Sequence, residues 1–288
     1  MLSGAIAASI TPLLDGGSRP DVEAIGPLVR FLSEGGVDGA FVCGTTGEGV
    51  LLAVDERRRV ADGFVRARPE GFAIAVHAGA QSTADTVALA THAKEIGADA
   101  VAVIAPPYFR LDDGALFEHL RSAAEACGGL PFYVYEFAAR SGYPVPVSIV
   151  ERLREAAPNL AGMKVSDTPW SAVEPYRLDG LDLFVGNEPL VLEGLAHGAD
   201  GTVSGLAAAF PEIVASLVHE RDPRAGERVA SLRNDLAAIP FHAALKEILV
   251  ARGVPIRRDV RAPLRALTPA ERELALEAAR KVGALSAD

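Results

Sequence analysis

The sequence is poor in cysteine and contains no long apolar run, and both shortages exclude classes of protein. Two cysteines, Cys43 and Cys127, occur in 288 residues and form no CxxC motif, which fits a reducing compartment rather than a disulfide-stabilised fold. No apolar run approaches the roughly 20 residues that span a bilayer. The opening residues, MLSGAIAASITPLL, lack the positively charged region of a signal peptide. We therefore expect a soluble, cytoplasmic protein.

Positive charge is also scarce. The formal net charge is −10 and no basic run exceeds Arg57-Arg58-Arg59, so no nucleic-acid or membrane partner is expected. We interpret that triplet as a solvent-exposed helix face. The six histidines show neither HxH nor HExxH spacing, and no metal site is predicted. We interpret His77 as a hydrogen-bonded core residue and Cys43 as a small buried apolar residue.

The sequence does contain a regular alternation of short apolar runs and longer amphipathic segments. Apolar residues make up 49% of the chain and aromatic residues only 6%, which suits alternating strands and helices better than an all-β sandwich. The candidate strands lie at 5–10, 39–43, 73–77, 100–105, 131–135, 160–164, 182–185 and 201–203. The candidate helices between them lie at 21–35, 54–68, 82–97, 113–127, 146–157, 169–178 and 188–198.

Eight strands that alternate with helices predict the α/β class, with a (β/α)8 TIM barrel over residues 1–205. The remaining residues, 206–288, show only helical patterns, at 206–220, 223–237, 240–253 and 268–283. We interpret them as a C-terminal helical extension packed on the barrel. In such barrels the functional side chains lie at the carboxyl ends of the strands.

Lys164 is the sharpest signal at those ends, because it directly follows the apolar run Leu160-Ala161-Gly162-Met163. An ammonium group at the edge of an apolar interior must lose its charge or find a partner. A desolvated amine can attack a carbonyl group and form a Schiff base. The alternative is a structural lysine that pairs with a nearby carboxylate such as Asp167 or Glu136.

Four further candidate features lie at or just beyond the ends of other predicted strands. Hydroxyl and backbone N–H groups of the turn Gly44-Thr45-Thr46-Gly47-Glu48 can hold a carboxylate without a cation, although a plain strand-to-helix turn is the alternative. One of Tyr133 and Tyr135 can face the barrel interior and carry protons, or both simply pack. Arg140, in the next loop, can grip a second carboxylate or remain solvated. Ser204 adds a hydroxyl after the eighth strand.

With Lys164, Tyr135 and the GTTGE turn in this order on strands six, five and two, the chain resembles the dihydrodipicolinate synthase and N-acetylneuraminate lyase family of class I pyruvate-dependent aldolases. The likeness covers nearly the whole chain, from Ala8-Ser9-Ile10-Thr11-Pro12 to residues 198–205 and Pro211. It implies that Lys164 forms an imine with C2 of pyruvate or of another 2-keto acid. It further implies that Thr45 and Thr46 hold the carboxylate of that acid and that Tyr135 shuttles protons.

The expected site follows from these residues and the resemblance together. The expected catalytic residues are Lys164, Tyr135 and Thr46. The expected substrate-binding residues are Gly44, Thr45, Thr46, Arg140 and Ser204. The resemblance implies neither a metal nor an organic cofactor, and it implies a homotetramer or a homodimer.

Departures from the family pattern bear on the substrate. Phe109 stands where synthases carry a tyrosine that relays a proton. The arginine of the synthases is retained as Arg140, but the residues before it, Glu136-Phe137-Ala138-Ala139, differ from the usual synthase sequence. Val165-Ser166-Asp167-Thr168, after the lysine, looks more like the sugar-acid lyases. Ala208 replaces a frequent asparagine. The synthase assignment is weakened by these differences.

Three hypotheses for the function remain. The first is a lyase that cleaves or forms a C–C bond to pyruvate, on a 2-keto-3-deoxy sugar acid or a related hydroxy-keto acid. The second is 4-hydroxy-tetrahydrodipicolinate synthase, which condenses pyruvate with aspartate semialdehyde; Arg140 favours it and Phe109 opposes it. The third is a non-catalytic homologue that only binds a 2-keto acid.

Overall fold

The apolar runs of the sequence form eight parallel strands in the computed structural model, which describes residues 2–286. The strands are β1 Gly4–Ala8, β2 Gly39–Val42, β3 Ala73–His77, β4 Ala100–Ile104, β5 Phe132–Glu136, β6 Leu160–Val165, β7 Asp182–Val185 and β8 Gly201–Ser204. Each strand pairs with its neighbour in the chain, and β1 also pairs with β8, so the sheet closes. The predicted (β/α)8 barrel is confirmed.

Side chains alternate between the inside of the barrel and the surrounding helices, as the period of two along a strand requires. On β5, Tyr133 and Tyr135 belong to the cluster of side chains inside the barrel. On β6, Met163 and Val165 pack outward against the helix layer. Lys164 lies between these two residues and therefore points inward.

The helices follow the predicted order. They are α1 Ile25–Glu34, α2 Val54–Ala67, α3 Thr83–Glu95, α4 Asp113–Ala126, α5 Ala138–Ser141, α6 Val147–Ala156, α7 Trp170–Val173, α8 Val191–Ala196, α9 Pro211–His219, α10 Pro223–Leu236, α11 Phe241–Ala251 and α12 Pro269–Lys281. The Ser82 hydroxyl accepts a hydrogen bond from the N–H of Asp85 and so caps α3. Helix α5 and a hairpin of Leu13–Leu14 with Arg19–Pro20 have no counterpart in the sequence prediction, and neither does the single 3-10 turn Gly49–Leu51.

The helices after the barrel pack on it and on one another. Helix α9 contacts β1, while α10 contacts α9 and α12, and α11 contacts α12. Lys246 of α11 forms an ion pair with Glu48, in the loop after β2, at 2.5 Å from Nζ to Oε1, and neither side chain is exposed. The predicted domain boundary after residue 205 stays a prediction. No helix in the described part of the chain has the length and apolar character needed to cross a membrane.

Candidate active site

A cavity of about 410 Å³ opens at the mouth of the barrel, the end where the carboxyl ends of the strands lie. Five of the seven predicted site residues line it: Thr45, Thr46, Tyr135, Arg140 and Lys164. Helices α10 and α11 also contribute to its wall. The structure thus brings residues from three strand ends and from the C-terminal helices to one place.

Lys164 is buried, with 6% of its surface exposed. Burial lowers the pKa of its ammonium group, against an opposing effect of Tyr135. Its Nζ lies 3.5 Å from the centroid of the Tyr135 ring. Among residues 2–286, neither Asp167 nor Glu136 forms an ion pair with Lys164: these carboxylates accept hydrogen bonds from backbone N–H groups of residues 138 and 145. The geometry therefore disfavours the alternative of a structural ion pair.

Of the two tyrosines on β5, Tyr135 faces the cavity. Its hydroxyl lies 3.2 Å from Oγ1 of Thr45, and its ring meets Phe41 and His77 edge to face. Tyr133 lies deeper in the barrel, and its hydroxyl donates to Oδ2 of Asp182 at 2.7 Å. Only Tyr135 is in a position to exchange a proton with a group bound at Lys164.

The turn after β2 is held from outside the barrel. Oγ1 of Thr11 donates to the carbonyl of Gly47 at 2.6 Å. Glu48, at a left-handed φ of 58°, accepts from Nζ of Lys246 and from the backbone N–H of Arg261 at 2.6 Å. The Thr45 carbonyl lies 2.9 Å from Nε2 of His242. These contacts fix Thr45 and Thr46 at the edge of the cavity before any ligand binds.

Two predicted substrate-binding residues do not line the cavity. Gly44 lies against the ring of Phe41, where a Cβ would overlap the ring. Ser204 is fully buried, and its hydroxyl donates to Oε1 of Glu188 at 2.8 Å and accepts from the N–H of Ala207 at 3.1 Å. Gly44 therefore shapes the turn, and the hydroxyl of Ser204 is already engaged in the protein.

Glu188 and Arg233 also line the cavity and are not among the predicted site residues. Glu188 stands three residues beyond Val185, the last residue of β7, at a strand end of the kind that identified Lys164. Burial acts to raise the pKa of its carboxyl, but Arg233 and the Leu206 N–H outweigh burial and lower that pKa. Arg233 lies in the last turn of α10, where no sequence signal distinguishes it from a surface residue.

Arg140 reaches the cavity from α5, a single helical turn. Its guanidinium lies 5.5 Å from the Phe137 ring centroid. Two carboxylates hold the segment that carries it. Asp167 accepts from the N–H of Ala138 at 3.3 Å, and Glu136 accepts from the N–H of Val145 at 2.7 Å. Burial raises the pKa of the Glu136 carboxyl to about 8, and the adjacent Asp167 acts in the same direction.

The two aromatic residues in the loop after β4 are exposed, unlike the aromatic residues inside the barrel. Tyr108 and Phe109 are 87% and 71% exposed, and their rings meet edge to face with centroids 4.9 Å apart. Neither lines the cavity of this chain.

The interpretation of the Arg57-Arg58-Arg59 triplet as a solvent-exposed helix face was wrong for its first residue, whereas Arg59 is exposed. Arg57 is not on a solvent-exposed helix face but is 4% exposed, and its Nη1 donates to the Gly79 carbonyl at 2.9 Å. Its Nη2 donates to the His77 carbonyl at 2.5 Å. His77 is a buried core residue, with Nδ1 at 3.2 Å from the Cys43 carbonyl, and burial lowers its pKa well below the usual value. Within residues 2–286 no group of three or more His, Cys, Asp or Glu side chains could hold a metal ion.

Comparison with known proteins places this geometry in context. A model of the dihydrodipicolinate synthetase family matches residues 1–282. N-acetylneuraminate lyase from Rattus norvegicus is 36% identical over 210 residues, which are 70% of this chain and 65% of that lyase. The chain thus spans just under two thirds of this relative.

Two other matches extend over the full length. The 4-hydroxy-tetrahydrodipicolinate synthase of Rhizobium meliloti is 29% identical over 298 residues, covering 99% of this chain and 100% of the synthase. The solved structure of Proteus mirabilis N-acetylneuraminate lyase is 30% identical and covers 98% of this chain and 99% of the other, with a TM-score of 0.88. Both named activities therefore occur among proteins similar to this chain.

Proposed function

Because the chain belongs to the dihydrodipicolinate synthetase family, we propose that it is a class I aldolase that makes or breaks a C–C bond next to a pyruvate unit through a Schiff base on Lys164. The observation that carries this proposal is the burial of the Lys164 amine beside Tyr135 and the Thr45–Thr46 turn. Burial lowers the pKa of the amine, which increases the fraction of neutral nucleophile at neutral pH.

The chemistry proceeds in balanced steps. The neutral amine adds to the C2 carbonyl of the 2-keto acid, the Tyr135 hydroxyl gives its proton to the departing C2 oxygen, and loss of water leaves a protonated imine and a Tyr135 phenolate. In the cleavage direction, this phenolate takes the proton of the C4 hydroxyl while the electrons of the C3–C4 bond move into the imine, which releases an aldehyde and leaves a neutral enamine. Tyr135 then gives the proton to C3, water hydrolyses the protonated imine to free pyruvate and Lys164, and the phenolate takes up the proton that hydrolysis releases. Thr45 and Thr46 hold the carboxylate throughout.

For the substrate we propose a 2-keto-3-deoxy sugar acid or a related hydroxy-keto acid. Ser166 and Asn187 line the cavity beyond Lys164 and offer hydroxyl and amide groups suited to a polyhydroxylated chain. Phe109 supports the same choice, because phenylalanine cannot carry the proton that the synthases relay at this position. We infer from the family likeness that pyruvate is the product of cleavage or the substrate of condensation.

A second candidate is the synthase reaction with aspartate semialdehyde. One observation favours it: Arg140 lines the cavity, where its guanidinium can grip the carboxylate of that aldehyde. Replacement of Arg140 by Gln would then raise the KM for aspartate semialdehyde and leave the KM for an uncharged aldehyde unchanged.

The central experiment is borohydride trapping. Incubation with pyruvate and borohydride should add the reduced adduct irreversibly at Lys164, as read by peptide mass spectrometry. Lys164→Met should abolish the adduct, while Lys281→Met, which alters a surface lysine that is 58% exposed, should retain it. A wild-type protein that gains no adduct at Lys164 would refute the proposal.

Turnover assays distinguish the candidates. Release of pyruvate from a panel of 2-keto-3-deoxy acids supports the lyase, and consumption of aspartate semialdehyde with pyruvate supports the synthase. Trapping without turnover on either panel would instead support the homologue that only binds a 2-keto acid. The homotetramer or homodimer stays a prediction, to be measured by analytical ultracentrifugation.

A further inference from the structure

The carboxylate of Glu188 lines the cavity but has no role in the mechanism above. It accepts four hydrogen bonds from protein groups. Its Oε1 accepts from the Ser204 hydroxyl at 2.8 Å and from the Leu206 N–H at 3.0 Å. Nε and Nη2 of Arg233 both donate to it at 2.7 Å. The carboxylate side chain is 1% exposed, whereas that of Arg233 is 32% exposed. Glu188 therefore holds a guanidinium from the C-terminal helices in one orientation at the mouth of the barrel.

That guanidinium lies beside the Thr45–Thr46 turn. A Cβ placed on Gly205 would lie 3.2 Å from Oγ1 of Thr46 and 3.3 Å from Nη2 of Arg233. The absence of a side chain at Gly205 thus leaves a space between a hydroxyl and a cation. Thr46 is the residue expected to hold the carboxylate of the 2-keto acid, so the space adjoins that carboxylate.

Arg233 retains donors for a ligand. A guanidinium has five N–H groups, and the two hydrogen bonds to Glu188 use two of them. Within residues 2–286, Nη1 has no protein acceptor among the hydrogen bonds of Arg233. The guanidinium carbon lies 4.6 Å from the centroid of the Phe241 ring, which fixes its plane further. A pre-oriented fork with free N–H groups matches the geometry of a carboxylate.

We propose that Arg233 binds the carboxylate of the 2-keto acid together with Thr46. This inference rests on the proposed function, because it needs a keto acid bound at Lys164. It gives the C-terminal helices a direct contact with the substrate. It also replaces the expectation that the turn holds the carboxylate without a cation.

The test compares a charge-balanced pair of substitutions with a matched pair elsewhere. Glu188→Gln with Arg233→Gln removes both charges, so no unpaired charge is left buried. The opposing effects of Glu188 and Arg233 on the pKa of Lys164 are removed together. The control is Glu212→Gln with Arg252→Gln, a second pair between Glu and an arginine of the C-terminal helices, with Nη2 to Oε1 at 2.9 Å and the guanidinium 4.8 Å from the Phe31 ring centroid.

The measurement is the pyruvate concentration that half-saturates borohydride trapping at Lys164 in the full chain. Loss of a charge-assisted hydrogen bond should raise that concentration by roughly 10- to 100-fold in the Glu188/Arg233 variant and leave it unchanged in the Glu212/Arg252 variant. Labelling of Lys164 by formaldehyde and borohydride, which involves no carboxylate, should be the same in all three proteins.

The outcomes separate the two proposals. If wild-type protein traps no pyruvate while formaldehyde labels Lys164, the proposed function fails and this inference fails with it. If wild type traps pyruvate and the Glu188/Arg233 variant does so with the same half-saturation, only the role of Arg233 is overturned. Equal losses of pyruvate trapping and formaldehyde labelling in the variant would show a purely structural pair and would also overturn it.

Discussion

The buried pair of Lys246 and Glu48 yields the sharpest prediction about how the C-terminal helices support the site. Both side chains are 0% exposed, and the Lys246 ammonium donates to Oε1 of Glu48 at 2.5 Å and to the Asp259 carbonyl at 2.6 Å. Lys246→Met keeps the length of the side chain but leaves the Glu48 carboxylate buried without a cation. Removal of one partner of a buried pair costs about 3 to 5 kcal/mol, and we expect that loss in the free energy of unfolding.

The loss should be reversible by a second substitution. Glu48→Gln in the Lys246→Met background removes the unpaired charge, and the double variant should recover most of the stability. Urea unfolding followed by the fluorescence of the single tryptophan, Trp170, which is 8% exposed, reports the free energy. At equal protein concentration, a loss below about 1 kcal/mol in Lys246→Met, as for a solvent-exposed pair, would refute the reasoning.

Three further predictions concern the cavity and its support. Tyr135→Phe should still trap pyruvate at Lys164 but should lower kcat by roughly 10²- to 10⁴-fold, since a proton carrier is lost; unchanged kcat would exclude Tyr135 as that carrier. Gly49→Ala would place a Cβ on the carbonyl oxygen of Cys43 and, because backbone must move, should lower the free energy of unfolding by about 1 to 3 kcal/mol and weaken pyruvate trapping, both measurable as above. Glu136 has a pKa raised by burial from 4.5 to about 8, so the native state holds a proton that the unfolded state releases, and wild-type stability should fall as pH rises between these values. Glu136→Gln should remove that fall in urea titrations; an unchanged pH profile would contradict a protonated Glu136.

The fold could be predicted because its signals are local. Each strand is a short apolar run, and the closing of eight such units into a barrel follows from their number and order. The elements that escaped prediction lack such signals. Helix α5 is a single turn, fixed by the distant carboxylate of Asp167 and by Glu136 at its flank rather than by its own periodicity. Its four residues, Ala138–Ser141, are too few to show a period of 3.6.

The site could be predicted in part for a related reason. Lys164, Tyr135 and the Thr45–Thr46 turn all stand at strand ends, so barrel topology alone brings them together. Helix α10 has no such constraint. Arg57 and Arg233 are both arginines within helical patterns, and only the packing of each helix decides that Arg57 is buried and that Arg233 lines the cavity. Charge in a helix usually indicates an exposed face, and this rule fails where a buried carbonyl or carboxylate compensates the guanidinium.

In the proposed mechanism the C-terminal helices therefore contribute to the surroundings of Lys164 and do not only cover the barrel. Burial is the main cause of the lowered pKa of Lys164, and the cavity around this amine is closed on one side by Leu236, Phe241 and His242. Water admitted on that side would restore solvation of the ammonium form and raise the pKa, which would reduce the fraction of reactive amine. The same helices hold the turn that we propose to bind the carboxylate, through Lys246 and His242. Without these contacts Lys164 would lose both the desolvation and the fixed turn on which its proposed reactivity depends.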